Sequence, residues 1–126
     1  MVTTDVAQLS RECDAWRETL RSNKASVSEL DTRLQDMAGK QSTEEVLIEI
    51  DHYHNQFYIQ KLNIHDLKHA IRSHQQQIDA EMKLHHGQVN DDTINDHERL
   101  YDNFQQLEHT LKDLKDDFAV FIDRNR

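Results

Sequence analysis

The sequence predicts an all-α fold, an antiparallel up-down-up bundle of three long helices that pack as a coiled coil. Apolar residues recur at alternating spacings of three and four residues in each third of the chain. The chain has no proline and only two glycines, Gly39 and Gly87, whereas a sheet protein of this length would need many more turn residues. We therefore expect a single domain over residues 1–126, with the two glycines separating the helices.

The first helix, expected over about residues 4–38, carries the clearest pattern. Its seam positions average about 3.5 residues apart, a spacing that keeps one face against neighbouring helices and implies a left-handed supercoil. We expect Gly39 to end this helix in the left-handed conformation that glycine adopts readily. The seam comprises Val6, Leu9, Cys13, Trp16, Leu20, Asn23, Val27, Leu30, Leu34 and Met37.

The second helix, expected over about 43–86, and the third, over about 91–123, have seams of the same period. Because only a few residues connect consecutive helices, neighbouring helices must run antiparallel. The second seam includes Ile50, Phe57, Gln60, Ile64, Leu67, Ile71, His74 and Ile78. The third includes His97, Leu100, Phe104, Leu107, Leu111, Leu114, Phe118 and Phe121.

Three helices of this length, with a long middle helix and Trp16 on the inward seam of the first, resemble the architecture of a spectrin-type repeat. The resemblance rests on architecture rather than on a motif, and the third helix has no tryptophan. It implies a helical bundle in which Trp16 anchors the core, and it implies no particular partner.

Composition and charge narrow the classes of partner. The net charge of -9, with acidic residues in every segment, disfavours binding to nucleic-acid phosphates, which needs a clustered basic surface. The longest apolar run, 118–122, is far too short to cross a membrane, and the first residues resemble no targeting signal. The single Cys13 cannot form an internal disulfide and suits a reducing compartment. We therefore expect a cytoplasmic protein.

A ledge of apolar residues is expected near the start of the second helix. Counting outward from the two turns leaves this part of the helix without a third-helix neighbour. Large aliphatic side chains exposed there would favour association with a protein partner or a second copy. The ledge comprises Val46, Leu47 and Ile50.

An outer patch is expected further along the second helix, where three apolar residues occupy outward heptad positions on adjacent turns. Like the ledge, it is a candidate contact surface for a protein partner or for self-association into a homo-oligomer, which we expect to be a dimer. The outer patch comprises Tyr58, Ile59 and Leu62.

A polar layer is expected in the core, because Asn23 and Gln60 interrupt the first and second seams at nearly the same counted level. Two buried amides that meet can fix the register and number of helices at some cost in stability. The alternative is that this layer is simply hydrated because the bundle is narrow.

The nine histidines raise the question of metal binding. His65 and His69 form an i,i+4 pair that could hold a metal on the surface, but the heptad register points them away from the core. Acid-x-x-His pairs occur about as often as chance predicts. We expect no core metal site and no cofactor, with His65 and His69 as the surface candidates.

The sequence contains no glycine-rich phosphate loop, nucleophile motif or Cys-x-x-Cys pair, so we expect no catalytic residues and no enzymatic activity. The favoured interpretation is a structural or interaction protein that self-associates or scaffolds a partner through its middle helix. The alternative is a histidine-bearing metal-binding or pH-sensing bundle, since His74, His85 and His97 lie on or near the seams around the second turn. A third possibility is a domain that works only inside a larger helical complex.

Overall fold

Three helices make up the part of the chain that the computed structural model describes, residues 6–40 and 43–125. Helix α1 spans Val6–Ala38, α2 spans Glu44–Leu84 and α3 spans Asp91–Arg124. The predicted all-α three-helix bundle is confirmed, and the predicted boundaries that fall on described residues agree within two residues. The predicted start near residue 4 lies outside the described residues. Within the described ranges, no helix has both the length and the apolarity required to cross a bilayer.

The chain reverses direction between α2 and α3 through two residues with positive φ, His86 at 54° and Gly87 at 89°. The Gly87 N–H donates to the Met82 carbonyl at 2.8 Å, which closes the end of α2. The left-handed conformation expected at Gly39 is wrong. That residue has no positive φ, and its N–H donates to the Gln35 carbonyl at 3.2 Å, as in a continuing helix.

The first turn of α3 is capped by a side chain from α2. The buried Glu81 carboxylate accepts hydrogen bonds from the Asn90 backbone N–H at 2.8 Å and from the Thr93 hydroxyl at 2.7 Å. Gln77 donates a third bond at 2.9 Å. The Asn90 N–H and then the Thr93 hydroxyl lower the pKa of Glu81, because both stabilise its charged form. This carboxylate fixes where α3 starts relative to α2.

Aromatic side chains join α2 to α3 at the opposite end of the bundle. The Phe57 and Phe118 rings meet edge to face with their centroids 5.1 Å apart, and Tyr53 packs 4.9 Å from Phe121. The rest of the core consists of the predicted seam residues, all less than a tenth exposed: Leu9, Cys13, Trp16, Leu20, Val27, Leu34, Ile50, Ile64, Ile71, Ile78, Phe104, Leu107 and Leu111.

Trp16 provides much of the packing between α1 and α3, which is the least extensive of the three helix pairs. Its ring lies 4.6 Å from the His97 ring, 5.7 Å from Tyr101 and 6.0 Å from Phe104, measured between centroids. As expected, Trp16 is a core anchor, and it is only 7% exposed. The first and third helices therefore meet mainly near the α2–α3 turn.

The Asn23 and Gln60 amides of the predicted polar layer do not form a hydrogen bond with each other, and the Asn23 Nδ2 atom has no hydrogen-bond partner among the described residues. On α1, the Asp31 carboxylate contacts His54 at 2.9 Å and Lys61 at 3.7 Å, so Asp31 lies level with the part of α2 between these two residues. Asn23 lies eight residues before Asp31, about 12 Å from it along α1, and so lies level with a part of α2 beyond Lys61. Gln60 is buried and accepts a hydrogen bond from the neighbouring Asn63 at 3.3 Å. Helix α1 therefore sits further along α2 than counting from the turn predicts.

Replacing Asn23 with leucine is expected to stabilise the protein by about 1–2 kcal/mol. The Asn23 Nδ2 atom is buried without a hydrogen-bond partner among the described residues, so a leucine would remove an unsatisfied donor from the seam. Urea denaturation followed by circular dichroism measures the change. The exposed Asn95→Leu is the matched control and should change stability by less than about 0.5 kcal/mol. A destabilised Asn23→Leu variant would contradict the burial of this amide.

Candidate functional site

The outer patch lies on the solvent side of α2, as the heptad pattern predicts. Tyr58 is 60% exposed, Ile59 is 43% exposed and Leu62 is 46% exposed. They are therefore available for contact with another molecule.

Tyr58 and Leu62 also belong to a longer outward row, the outer seam, whose members alternate four and three residues apart. Tyr58 and Leu62 lie near its centre, an aspartate lies at one end and an arginine lies at the other. Every member is exposed: Asp51, Asn55, Tyr58, Leu62, His65, His69 and Arg72.

The ledge differs from its expected form. Leu47 is 41% exposed and Val46 is half-buried, but Ile50 is only 7% exposed, so its predicted exposure is wrong. Helix α3 reaches this level after all, since Arg124 contacts the Glu49 carboxylate at 3.1 Å. What remains is a shallow groove of about 310 Å³ between the end of α1 and the start of α2, lined by Leu34, Gln35, Ala38, Leu47, Ile50, Asp51 and His54.

The structure gathers potential metal ligands at a different place from the predicted surface pair. His65 and His69 are both exposed on α2. Within residues 6–40 and 43–125, one group of three ligating side chains comes together: the Cys–His–His cluster of Cys13, His74 and His97. All three residues are buried, and each comes from a different helix.

The geometry of the Cys–His–His cluster is compact. His74 Nε2 lies 3.0 Å from His97 Nδ1, and Cys13 Sγ lies 4.0 Å from the same nitrogen. All three ligand atoms lie within 4.8 Å of one another. The Trp16 ring covers the His97 ring at 4.6 Å. Side chains from three helices therefore converge on one small buried volume.

Glu12 determines which nitrogen of His97 faces the cluster. His97 Nε2 lies 2.9 Å from Glu12 Oε1, and an ionised carboxylate can only accept, so Nε2 donates this hydrogen bond. In the neutral ring Nδ1 then carries a lone pair, which accepts from His74 Nε2. Without any further ligand, the residues form a chain of hydrogen bonds from His74 through His97 to Glu12.

Burial keeps both His74 and Cys13 in their neutral forms at neutral pH. Burial, followed by repulsion from His97, lowers the pKa of His74 to about 4, although Glu81 acts in the opposite direction. Burial, followed by the charges of Asp14 and Glu12, raises the pKa of the Cys13 thiol to about 11. A free Cys13 is therefore a poor nucleophile.

A cavity of about 280 Å³ opens beside the cluster between α1 and α3. His97 contributes to its wall, and two carboxylates, Glu12 and Glu98, give it negative charge. The full lining is Leu9, Glu12, Trp16, Ile94, His97, Glu98 and Tyr101. His97 is the one member of the cluster that borders this cavity.

Each member of the Cys–His–His cluster was predicted as a seam residue, but the seam patterns do not show that the three residues meet. Cys13 interrupts the aliphatic series of α1, and His74 and His97 occupy inward positions on α2 and α3. The sequence does show that each of the three seams carries one side chain able to bind a metal. Whether these side chains meet depends on the register between the helices, which the seams do not specify. Comparison with protein families, curated proteins and solved structures finds no match for this chain.

Proposed function

We propose that the chain is a non-enzymatic helical interaction protein that forms an antiparallel homodimer through the outer seam of α2. The observation that carries this proposal is the exposure of Tyr58, Ile59 and Leu62 on adjacent turns. Their burial against a second copy would remove apolar surface from water, at about 25 cal/mol per Å². Because Cys13 is a free thiol, a reducing compartment such as the cytoplasm suits the protein.

The charges along the outer seam favour a second copy of this chain as the binding partner. Asp51 and Arg72 share one heptad position with Tyr58, seven residues before it and fourteen after it. When two α2 helices pair antiparallel about a twofold axis near Leu62, Asp51 of each copy lies opposite Arg72 of the other. Such a contact is self-complementary, as a twofold interface requires. A parallel pairing would instead put like charges together.

Sedimentation equilibrium at tens of micromolar is the first test, and we expect a dimer. The double variant Tyr58→Glu/Leu62→Glu should raise the dimer Kd by about 100-fold or more, because two carboxylates would enter the interface unpaired. Its helicity should match that of the wild type, since both side chains are exposed. Val120→Glu, on an exposed residue of α3, is the matched control and should leave the dimer intact.

The pairing direction is tested by exchanging the charges. Asp51→Arg alone and Arg72→Asp alone should each weaken the dimer, and the double exchange should restore its Kd. A wild-type chain that sediments as a strict monomer would overturn self-association. A dimer unaffected by Tyr58→Glu/Leu62→Glu would show that another surface carries it.

A further inference from the structure

We propose that the Cys–His–His cluster is a zinc site in which Cys13 Sγ, His74 Nε2 and His97 Nδ1 bind one Zn²⁺ and Glu12 orients His97. This site lies in the core near the α2–α3 turn and is independent of the outer seam. The ligand types, their separations and the second shell around His97 support a zinc site there.

The ligand types select a borderline-soft ion. One thiolate and two imidazoles suit Zn²⁺, whereas Mg²⁺ and Ca²⁺ require oxygen ligands. Three protein ligands leave a fourth tetrahedral position for water, as in open zinc sites. The negative cavity wall formed by Glu12 and Glu98 favours a cation at this end of the bundle.

Two of the three ligand separations are close to those of a tetrahedral site, and the third, between Cys13 and His74, is within 4.8 Å. Zn–N bonds of about 2.05 Å and a Zn–S bond of about 2.3 Å place two nitrogens about 3.3 Å apart, and sulfur about 3.6 Å from nitrogen. The His74–His97 separation is 3.0 Å and the Cys13–His97 separation is 4.0 Å. Movements of a few tenths of an ångström bring both pairs to the ideal values.

The second shell already has the arrangement that zinc sites use. A metal-binding histidine normally donates its other ring N–H to a carboxylate, which fixes the tautomer and increases the basicity of the ligand. His97 makes this contact with Glu12 at 2.9 Å and directs Nδ1 toward Cys13 and His74. Glu12 is therefore a positioning residue rather than a ligand.

Zinc binding releases one proton, from Cys13, and shifts another within the His74 ring. Zn²⁺ takes the lone pair of the Cys13 sulfur and the thiol proton leaves to solvent, so affinity rises with pH. The His74 proton moves from Nε2 to Nδ1, which frees Nε2 for the metal. His97 keeps its proton on Nε2, where Glu12 accepts it. His74 Nε2 and His97 Nδ1 then both bind the metal and no longer share a hydrogen bond.

Cobalt titration of chelator-treated protein, purified without a metal column, is the test. Tetrahedral Co²⁺ bound by a thiolate shows intense visible bands and a thiolate-to-metal charge-transfer band in the near ultraviolet. We expect one Co²⁺ per chain, displaced by one Zn²⁺, with a higher melting temperature in either metal. Absence of the charge-transfer band at saturating Co²⁺ would overturn the site.

Variants separate this site from surface binding. Cys13→Ser should abolish the charge-transfer band, and His74→Gln should abolish stoichiometric binding. Glu12→Gln should keep the spectrum but weaken binding about 10–100-fold, as expected for a lost second-shell carboxylate. His65→Gln/His69→Gln is the matched control, and it should bind one Co²⁺ per chain with the same charge-transfer band as the wild type. Metal binding that survives Cys13→Ser and disappears in the control would overturn the proposal in favour of surface histidines.

Discussion

Replacing Phe118 with alanine should destabilise the protein by about 3–5 kcal/mol, a large share of the 5–15 kcal/mol typical of a single domain. The Phe118 ring is 1% exposed and packs against Phe57 at 5.1 Å and Tyr53 at 5.5 Å. Alanine would leave a cavity between two long helices, which relax only partly into it. The edge-to-face contact with Phe57 would be lost as well.

Urea denaturation followed by circular dichroism measures this loss. Val120→Ala, two residues along on the same helix and 59% exposed, is the matched control and should stay within about 0.5 kcal/mol of the wild type. A loss of less than about 1 kcal/mol in Phe118→Ala would contradict the observed packing of α3 on α2. A partly helical variant with a broad transition would instead show that α3 detaches before the rest of the bundle unfolds.

Acidification from pH 7 to pH 4 should cost the metal-free protein about 3 kcal/mol through His74 alone. The pKa of His74 falls from its ordinary 6.5 to about 4 in the folded chain, so the unfolded chain binds more protons between these values. Its contribution to stability is therefore complete above about pH 6.5 and is lost as the pH falls through about 4. The groups that face His74 are Cys13 from α1, His97 from α3 and Glu81 on its own helix.

Melting temperatures recorded with a chelator at several pH values test this loss. His74→Leu removes the titrating group, so its stability should fall much less steeply between pH 6.5 and pH 4. His109→Leu removes a histidine whose side chain is 77% exposed and should retain the wild-type slope. Equal slopes in all three proteins would show that His74 does not titrate as a buried neutral imidazole.

The helices were predictable because an apolar period is a local property, whereas the register between helices is not. A heptad seam keeps its apolar face when one helix slides along another by seven residues, about 10.5 Å. The pattern therefore puts Asn23, Gln60 and Asp31 on their helices without specifying which of them meet. Contacts such as Asp31 with His54 and Lys61 depend on the specific packing of side chains.

The candidate metal site was missed for the same reason. Cys13, His74 and His97 come from separate helices, and no short motif joins them. The outer patch was predictable because Tyr58 and Leu62 share one helix, so their positions need only the helical period. The burial of Ile50 was not predictable, since it depends on how far the end of α3 reaches along α2.

The limited packing between α1 and α3 also sets an order of assembly. The α1–α2 and α2–α3 hairpins each close a short connection, whereas the Cys13–His97 and Glu12–His97 contacts join residues 84 and 85 apart in sequence. Loop-closure entropy makes such distant contacts slow to form unless intervening structure has already shortened the path. Once α2 has folded with either neighbour, the remaining helix packs along α2, and the Trp16 contacts between α1 and α3 form as it docks. We therefore expect the contacts where the three helices converge to form late in folding, and a metal bound there to slow unfolding.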